Sequence, residues 1–476
     1  MSFEAVEFHA RRTPLATALI DADSLEYTYL ELYRDLCALI EKLRLDLPGL
    51  VSMQPVAISH RDKRLHLLMI LALETLGITS LPFVQPIDPG FEKTLGLCGM
   101  VLAEEPVEAV DRPFFQLAPQ WFEDALAGNA PAPSIAWWQP DAVTIILTTS
   151  GSSGDAKAIP LHRRAFEMRE RDWICRRGLT QGSAFLLALP PSMFSIGVSA
   201  RATLRCGGTI VFWNRERPLE ALRRATHATL MPGSLHFLLS QIPDSYNRPG
   251  TLQLTSIGAP LAKELRQRIA EKLDAQIENR YGSNELGGAM RIGADGIGDV
   301  NPGVELEVVD DSMQTVAEGQ PGMIRGRSIS MARRYVDRRQ TELSFKDGWY
   351  LTGDYGVARG YRRIELLGRS DDMLNLGGIK IAPERVEASL GLQMIARDLA
   401  VCTLEDQSGV AILHIALCGL LFDAATIKAK VQQSLGSNFG EVRLVVVETI
   451  PRAVNGKLRR SELKELLRRR IDRGAR

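Results

Sequence analysis

The run Val143-Thr144-Ile145-Ile146-Leu147 passes directly into Thr148-Thr149-Ser150-Gly151-Ser152-Ser153-Gly154-Asp155-Ala156-Lys157, and this junction constrains the chain more than any other stretch. Apolar and β-branched residues over the length of a strand, followed by a segment dense in hydroxyls and glycine, predict a buried strand that delivers a loop to its end. Glycine lets backbone N–H groups converge on an anion, serine and threonine add O–H donors, and Lys157 adds a mobile positive charge. A triphosphate fits such a set of groups. The segment is not the Gly-x-x-x-x-Gly-Lys-Ser/Thr loop of the P-loop NTPases, because its glycines are spaced differently and Ala158 follows the lysine.

Up to about residue 140 the chain alternates strand and helix patterns. Tyr27-Thr28-Tyr29 opens a helix over Leu30 to Leu43, and Val56-Ala57-Ile58-Ser59 precedes a helix that ends at Gly77. Such alternation predicts an α/β fold with a substantially parallel sheet. Residues 111 to 139, with several prolines, read as a loop-rich connection. Further on, Ala165 to Arg177 is helical, Ala184 to Leu189 is a buried strand, and Pro190 to Gly197 breaks the regularity. Length permits two or more domains.

Composition excludes several classes. With 57 basic and 57 acidic side chains the formal charge is zero, so no global field favours nucleic acid. The six cysteines form no Cys-x-x-Cys pair and no metal-binding cluster, which predicts free thiols in a reducing, cytoplasmic setting. Met1 to Arg12 lacks an apolar core, so no signal peptide is expected, and Leu65 to Phe83 is too short and too polar to be a membrane span. His227 and His236 are isolated and receive no role.

Thr149 to Ala158 resembles the Thr-Ser-Gly-Ser/Thr-Thr-Gly-x-Pro-Lys-Gly signature of the adenylate-forming (AMP-binding) superfamily, which comprises acyl- and aryl-CoA synthetases, stand-alone adenylation domains and luciferases. Ala156 and Ala158 replace its proline and last glycine. Four later segments strengthen the resemblance. Ile257-Gly258-Ala259-Pro260-Leu261 is similar to a Gly-Gly-Ala-Pro-Leu segment whose backbone passes beneath the adenine. Asn279-Arg280-Tyr281-Gly282-Ser283-Asn284-Glu285 is similar to Asn-x-Tyr-Gly-x-Thr-Glu, with Asn284 for the threonine. Gly348-Trp349-Tyr350-Leu351-Thr352-Gly353-Asp354 resembles Gly-Trp-Tyr/Phe-x-Thr-Gly-Asp. Pro451 to Arg460 resembles Pro-x-x-x-x-Gly-Lys-x-x-Arg.

The resemblance implies a large N-terminal α/β domain over residues 1–368, built of layered sheets and helices with a β-rich subdomain. A small mobile α+β C-terminal domain over residues 369–476 follows on a hinge at Asp371. It implies ATP and Mg²⁺ as cofactors. Thr149, Ser150, Gly151, Ser152, Ser153, Gly154 and Lys157 would surround the phosphates. Gly258, Ala259, Pro260, Asn279, Arg280, Tyr281, Gly282, Ser283 and Asn284 would hold the nucleotide, with Asp354 and Arg369 at the ribose. Glu285 and Thr149 are the implied metal ligands, and Lys457 is the implied catalytic lysine beside Glu285 and Lys157. Phe194, Gly197, Gly258 and Gly282 would line the acyl pocket, and Gly377 and Gly378 the pantetheine tunnel.

The implied reaction activates a small carboxylic acid to acyl-AMP and passes it to a thiol, of coenzyme A or of the phosphopantetheine on a separate carrier protein. No histidine stands at Phe194, and no aspartate in 190 to 200 could meet an α-ammonium group. An aryl, fatty or short acid is therefore expected rather than an α-amino acid. An amine or oxygen acceptor, or a nucleotide-binding regulator without turnover, are the alternatives. No carrier module is expected after the basic amphipathic helix Ser461 to Arg473, whose Leu463, Leu466, Leu467 and Ile471 share one side and predict a capping role, with membrane or partner binding as the lesser alternative.

Overall fold

The computed structural model describes residues 2–370 apart from 88–89, 109, 136–138, 151–155, 215, 244–245, 247–248, 260 and 262. Beyond residue 370 it describes 374–376, 379–381, 383, 386–387, 396–405, 411–420, 442–452 and 458–474. The chain divides into two compact units. One comprises Met1–Arg291, Asn301–Val304 and Arg327–Tyr350, the other Ile292–Val300, Glu305–Gly326 and Leu351–Arg476.

The first unit is a layered α/β structure. One sheet runs in the order Phe114–Gln116, Met100–Ala103, Val56–Ile58, Ser80–Pro82, Val143–Ser150 and Ala156–His162, parallel except for its last strand. A second sheet contains the parallel run Thr17–Ile20, Thr209–Phe212, Ala184–Leu187, His227–Leu230, Leu252–Ile257 and Ala275–Ser283. The helices Ser2–Arg12, Tyr29–Asp46, Lys63–Thr75 and Phe194–Arg205 bury their apolar faces in a core shared with strands of both sheets. Local chemistry sets where these helices begin. Thr28 and Glu31 form a reciprocal capping box, and the Asp62 carboxylate accepts the backbone N–H groups of Arg64 and Leu65.

The second unit takes in most or all of the strands Val304–Val309, Pro321–Ser328, Trp349–Ala358, Arg363–Arg369 and Ile297–Val300, which lie in that order in their sheet. It also holds an antiparallel hairpin, Leu374–Leu376 with Ile379–Ile381, and a sheet of Ala396–Glu405, Ala411–Leu420 and Val442–Val446. The helix Arg460–Gly474 seals that sheet by burying Leu463 and Leu467 against Ala400, Cys402 and Ala416. The expected boundary between residues 368 and 369 lies inside this unit. A helix expected from Ala424 to Leu435 lies outside the described residues.

The fold class is as expected, and three local readings are corrected. Residues 111 to 139 contain a strand, Phe114–Gln116, and a helix, Pro119–Ala127; Pro119 occupies the first helical position, where its missing N–H costs nothing. The irregular Pro190 to Gly197 stretch gives way to a helix already at Phe194. The strand from Val143 continues to Ser150, and Ala156 begins a partner strand rather than remaining in a loop. Among the described residues, no helix is long and apolar enough to cross a membrane.

His66, only 1% exposed, is buried in the helix Lys63–Thr75. Burial, with the charge of His60, pushes its pKa down to about 3 from the ordinary 6.5. Between those values the unfolded chain binds a proton that the folded chain refuses, so stability falls as pH drops below 6.5. A His66→Leu chain is expected to lose less stability than the native chain between about pH 7 and about pH 4.5. Urea midpoints at the two pH values check this, and equal losses would contradict it.

Candidate functional site

The expected phosphate loop is carried by a β-hairpin. Val143–Ser150 and Ala156–His162 pair antiparallel with Thr148 opposite Ala158, Thr149 opposite Lys157 and Ser150 opposite Ala156. Lys157 is therefore fixed by strand register across from Thr149. Gly151, Ser152, Ser153 and Gly154 lie outside the described residues. The Lys157 ammonium stands 5.2 Å from the centre of the Tyr335 ring, within cation–π range.

Tyr335 connects this hairpin to Glu285. Its hydroxyl donates to Glu285 Oε1 at 2.7 Å, and the two residues are 1% and 4% exposed. Burial, reinforced by the charge of Glu285, raises the phenol pKa and keeps it a donor. The segment bearing Glu285 is anchored on several sides. Asn284 Nδ2 donates to the Thr148 carbonyl at 3.2 Å, and Ala332 N–H donates to the Glu285 carbonyl at 2.7 Å. Arg169, on the helix Arg163–Arg177, donates to the carbonyls of Ser330 at 2.8 Å, Asn284 at 2.9 Å and Glu285 at 3.0 Å.

The remaining nucleotide candidates of the first unit cluster where two parallel strands end. Leu252–Ile257 runs beside Ala275–Ser283 with Ser256 opposite Asn279 and Ile257 opposite Arg280. Gly258, at φ 85°, and Ala259 follow the first strand; Pro260 is outside the described residues. In open α/β sheets the crevice beyond the carboxyl ends of strands is the usual ligand position. Strand alternation puts Arg280 and Glu278 on one face and Asn279 and Tyr281 on the other. The Arg280 guanidinium binds Glu278, with Nε to Oε2 at 2.9 Å, and so is committed to that ion pair. The Ser283 hydroxyl accepts the Leu286 N–H at 3.1 Å.

Of the acyl-pocket candidates, the Phe194 ring meets Phe166 edge to face at 5.8 Å and lies 4.9 Å from the Arg169 guanidinium carbon. Gly197 and Gly282 have packing reasons of their own. A Cβ on Gly197 would meet the Pro191 carbonyl oxygen at 2.6 Å, and one on Gly282 would meet that of Gly287 at 2.4 Å. In the second unit, Asp354 is paired across strands with Arg369, whose Nη1 lies 3.4 Å from Asp354 Oδ1 and donates to the Thr352 carbonyl at 2.9 Å. Asp371, Gly377, Gly378 and Lys457 are outside the described residues.

No cluster of three or more His, Cys, Asp or Glu gathers among the described residues. Glu285 and Thr149 nevertheless offer hard oxygens, which suits Mg²⁺, since that ion keeps several waters and takes phosphate oxygens to complete its shell. His227 has a structural place: its Nε2 lies 3.0 Å from the Arg177 carbonyl and its Nδ1 2.8 Å from the Thr226 hydroxyl. Sequence reading missed Tyr335 and Arg169. Tyr335 lies among arginines, and Arg169 sits in a helix so charged that it reads as a solvent face.

A family model described as "AMP-binding enzyme" matches residues 96–336, just over half of the chain. The indoleacetate–CoA ligase of Aromatoleum aromaticum is 24% identical over 352 residues, covering 70% of this chain and 68% of that protein. The matches span about two thirds of the length of the first curated relatives. An ATP-bound MatB from Rhodopseudomonas palustris superposes with a TM-score of 0.83 at 20% identity, over 98% of this chain and 99% of that one. The o-succinylbenzoate CoA synthetase MenE from Bacillus subtilis, in complex with its acyl-adenylate intermediate, gives 0.82 at 20% identity, over 97% of each chain.

Hydrogen bonds to charged groups contribute about 1.5–3 kcal/mol, and removing one partner in a buried setting exposes the desolvation cost of the other. Tyr335→Phe is therefore expected to destabilise the folded chain by about 2 kcal/mol. Denaturant unfolding measures this, and an unchanged midpoint would show that the Glu285 carboxylate does not need the phenol.

Proposed function

Because the chain belongs to the AMP-binding enzyme family, we propose that it activates a carboxylic acid with ATP to an acyl-adenylate and then transfers the acyl group to a thiol. The thiol is that of coenzyme A or of phosphopantetheine on a separate carrier protein. One observation carries the reading. A buried acid, Glu285, is oriented by Tyr335, and the same ring supports Lys157, which sits opposite Thr149 on the hairpin.

A free carboxylate resists attack because it is anionic and would have to expel oxide. Adenylation removes that barrier. A carboxylate oxygen forms a bond to the α-phosphorus of ATP, and the bond from that phosphorus to the bridging oxygen of the β-phosphate breaks. The electron pair leaves with pyrophosphate. Catalysis of such a step is mainly positioning and charge stabilisation. Lys157 and the hydroxyls of Thr149 and Ser150 hold the phosphates, and Glu285 with Thr149 forms the hard-oxygen end of the site. Mg²⁺ bound there would offset phosphate charge as a Lewis acid. Asp354 accepts from the ribose hydroxyls, with Arg369 beside it.

In the second step the thiol sulfur attacks the acyl carbon, the carbon–oxygen bond to AMP breaks, and the thiol proton is released. Lys457 serves the first step by meeting the negative charge that develops between the carboxylate and the α-phosphate. Residues 369–476 then rotate about Asp371 to present Gly377 and Gly378 to the acceptor arm, a hinge motion. The acid is aryl, fatty or short-chain, which the apolar Phe194 supports. The names of the similar ligases support an acid:thiol ligase rather than an amine or oxygen acceptor.

Pyrophosphate release across a panel of aryl, fatty and short acids, followed by mass analysis with coenzyme A or a carrier protein, tests the reading; ATP binding without pyrophosphate from any acid would refute it. Lys457→Ala is expected to slow adenylate formation by at least about 100-fold, the scale of losing one charge-stabilising donor. Transfer from supplied acyl-AMP should be largely kept. Equal loss of both half-reactions in single-turnover assays would remove the two-conformation assignment.

A further inference from the structure

Arg169 is 6% exposed, yet it is no part of the expected nucleotide or acyl motifs. Its five donors are used in an unusual way. Nε, Nη1 and Nη2 each reach a different backbone carbonyl, those of Ser330, Asn284 and Glu285, so that one planar group fixes two separate stretches of chain. The carbon of the same guanidinium stands over the Phe194 ring, 4.9 Å from its centre. Arg169 thus holds the backbone of the proposed metal carboxylate through its N–H groups and lies against the proposed acyl-side aromatic. The Gly287 backbone follows the same contour, since a Cβ there would come within 3.3 Å of Arg169 Nε. Burial lowers the guanidinium pKa to about 9, and the charge of Glu285 opposes that shift, so the group remains cationic at neutral pH.

We propose that Arg169 is a positioning residue that couples the nucleotide-side carboxylate Glu285 to the acyl-side ring of Phe194, so that the seating of the acid and the affinity for the divalent ion depend on each other. This rests on the acid-activating function given above. Because the guanidinium is rigid, a displacement of the ring beneath its carbon shifts the same group that holds the Asn284 and Glu285 carbonyls. Lysine cannot replace it: an ammonium on a flexible stem presents no planar fork and no stacking face.

The test uses the full-length chain and two substitutions, Arg169→Lys and Phe194→Leu. Mn²⁺ binding in the presence of a non-hydrolysable ATP analogue is followed by electron paramagnetic resonance, beside pyrophosphate release and thermal unfolding. Arg169→Lys is expected to weaken Mn²⁺ binding about 10-fold or more, the scale of losing an outer-shell partner. It should also raise the KM for the acid. Phe194→Leu, which keeps all three hydrogen bonds, should raise the acid KM and also weaken Mn²⁺ binding severalfold.

Three results would overturn the proposal. One is Arg169→Lys losing thermal stability while its folded fraction binds Mn²⁺ like the native chain. Another is Phe194→Leu changing the acid KM alone. The last is additive effects in the double substitution, because coupled residues give non-additive ones. Failure of the parent reading looks different, as the native chain would then release no pyrophosphate with any acid.

Discussion

A carboxylate withdrawn from water is tolerated only if the surrounding structure supplies donors and holds them still. Glu285 meets that condition through the Tyr335 hydroxyl, and much of the first unit is arranged so that this contact can exist. Tyr335 must be buried, which requires the chain around it to cross the hairpin; the Val336 N–H does so by donating to the Ala158 carbonyl at 2.9 Å. The segment of Glu285 must not drift, and it is held at Thr148 by Asn284 and at Arg169 by two carbonyls. The hairpin, the strand Ala275–Ser283 and the helix Arg163–Arg177 therefore meet at one acid. Each of these links is a hydrogen bond between residues far apart in sequence, so the site is a product of tertiary packing and not of any single loop.

Much of the layout was legible in the residues themselves. Apolar runs at 143–147 and 184–189 are strands because their β-branched and aliphatic content suits burial on both faces of a sheet, and strands appear at Val143–Ser150 and Ala184–Leu187. The terminal helix was also readable, since Leu463 and Leu467 at a spacing of four share one side and are buried together. What escaped was every feature decided by a distant partner. Proline-rich composition hid the helix at Pro119, because proline marks both a loop and a first helical turn. The serine and glycine content hid the second arm of the hairpin: local propensity cannot see that Lys157 has a cross-strand neighbour in Thr149.

The candidate site divides in the same way. Glu285, Asp354 and Arg369 were named from short motifs, and the latter two do pair across adjacent strands. Asn284 illustrates the limit. Its identity predicted a polar group near the nucleotide, but its amide donates to the Thr148 carbonyl, a use visible only once the strands are placed. Arg169 was invisible for a different reason. A charged residue among Arg163, Arg164, Glu167, Glu170 and Arg171 matches a solvated helix face, and nothing in the sequence says that this one turns inward.

The hairpin also bears on how this protein could change. Strand register sets both ends of the 151–155 insert, at Ser150 and Ala156, independently of what joins them. Lengthening or recomposing that insert leaves the lysine's cross-strand neighbour where it was. Under the proposed function, a change in how that segment meets phosphate is thus separated from the placement of the cation, which sheet pairing sets.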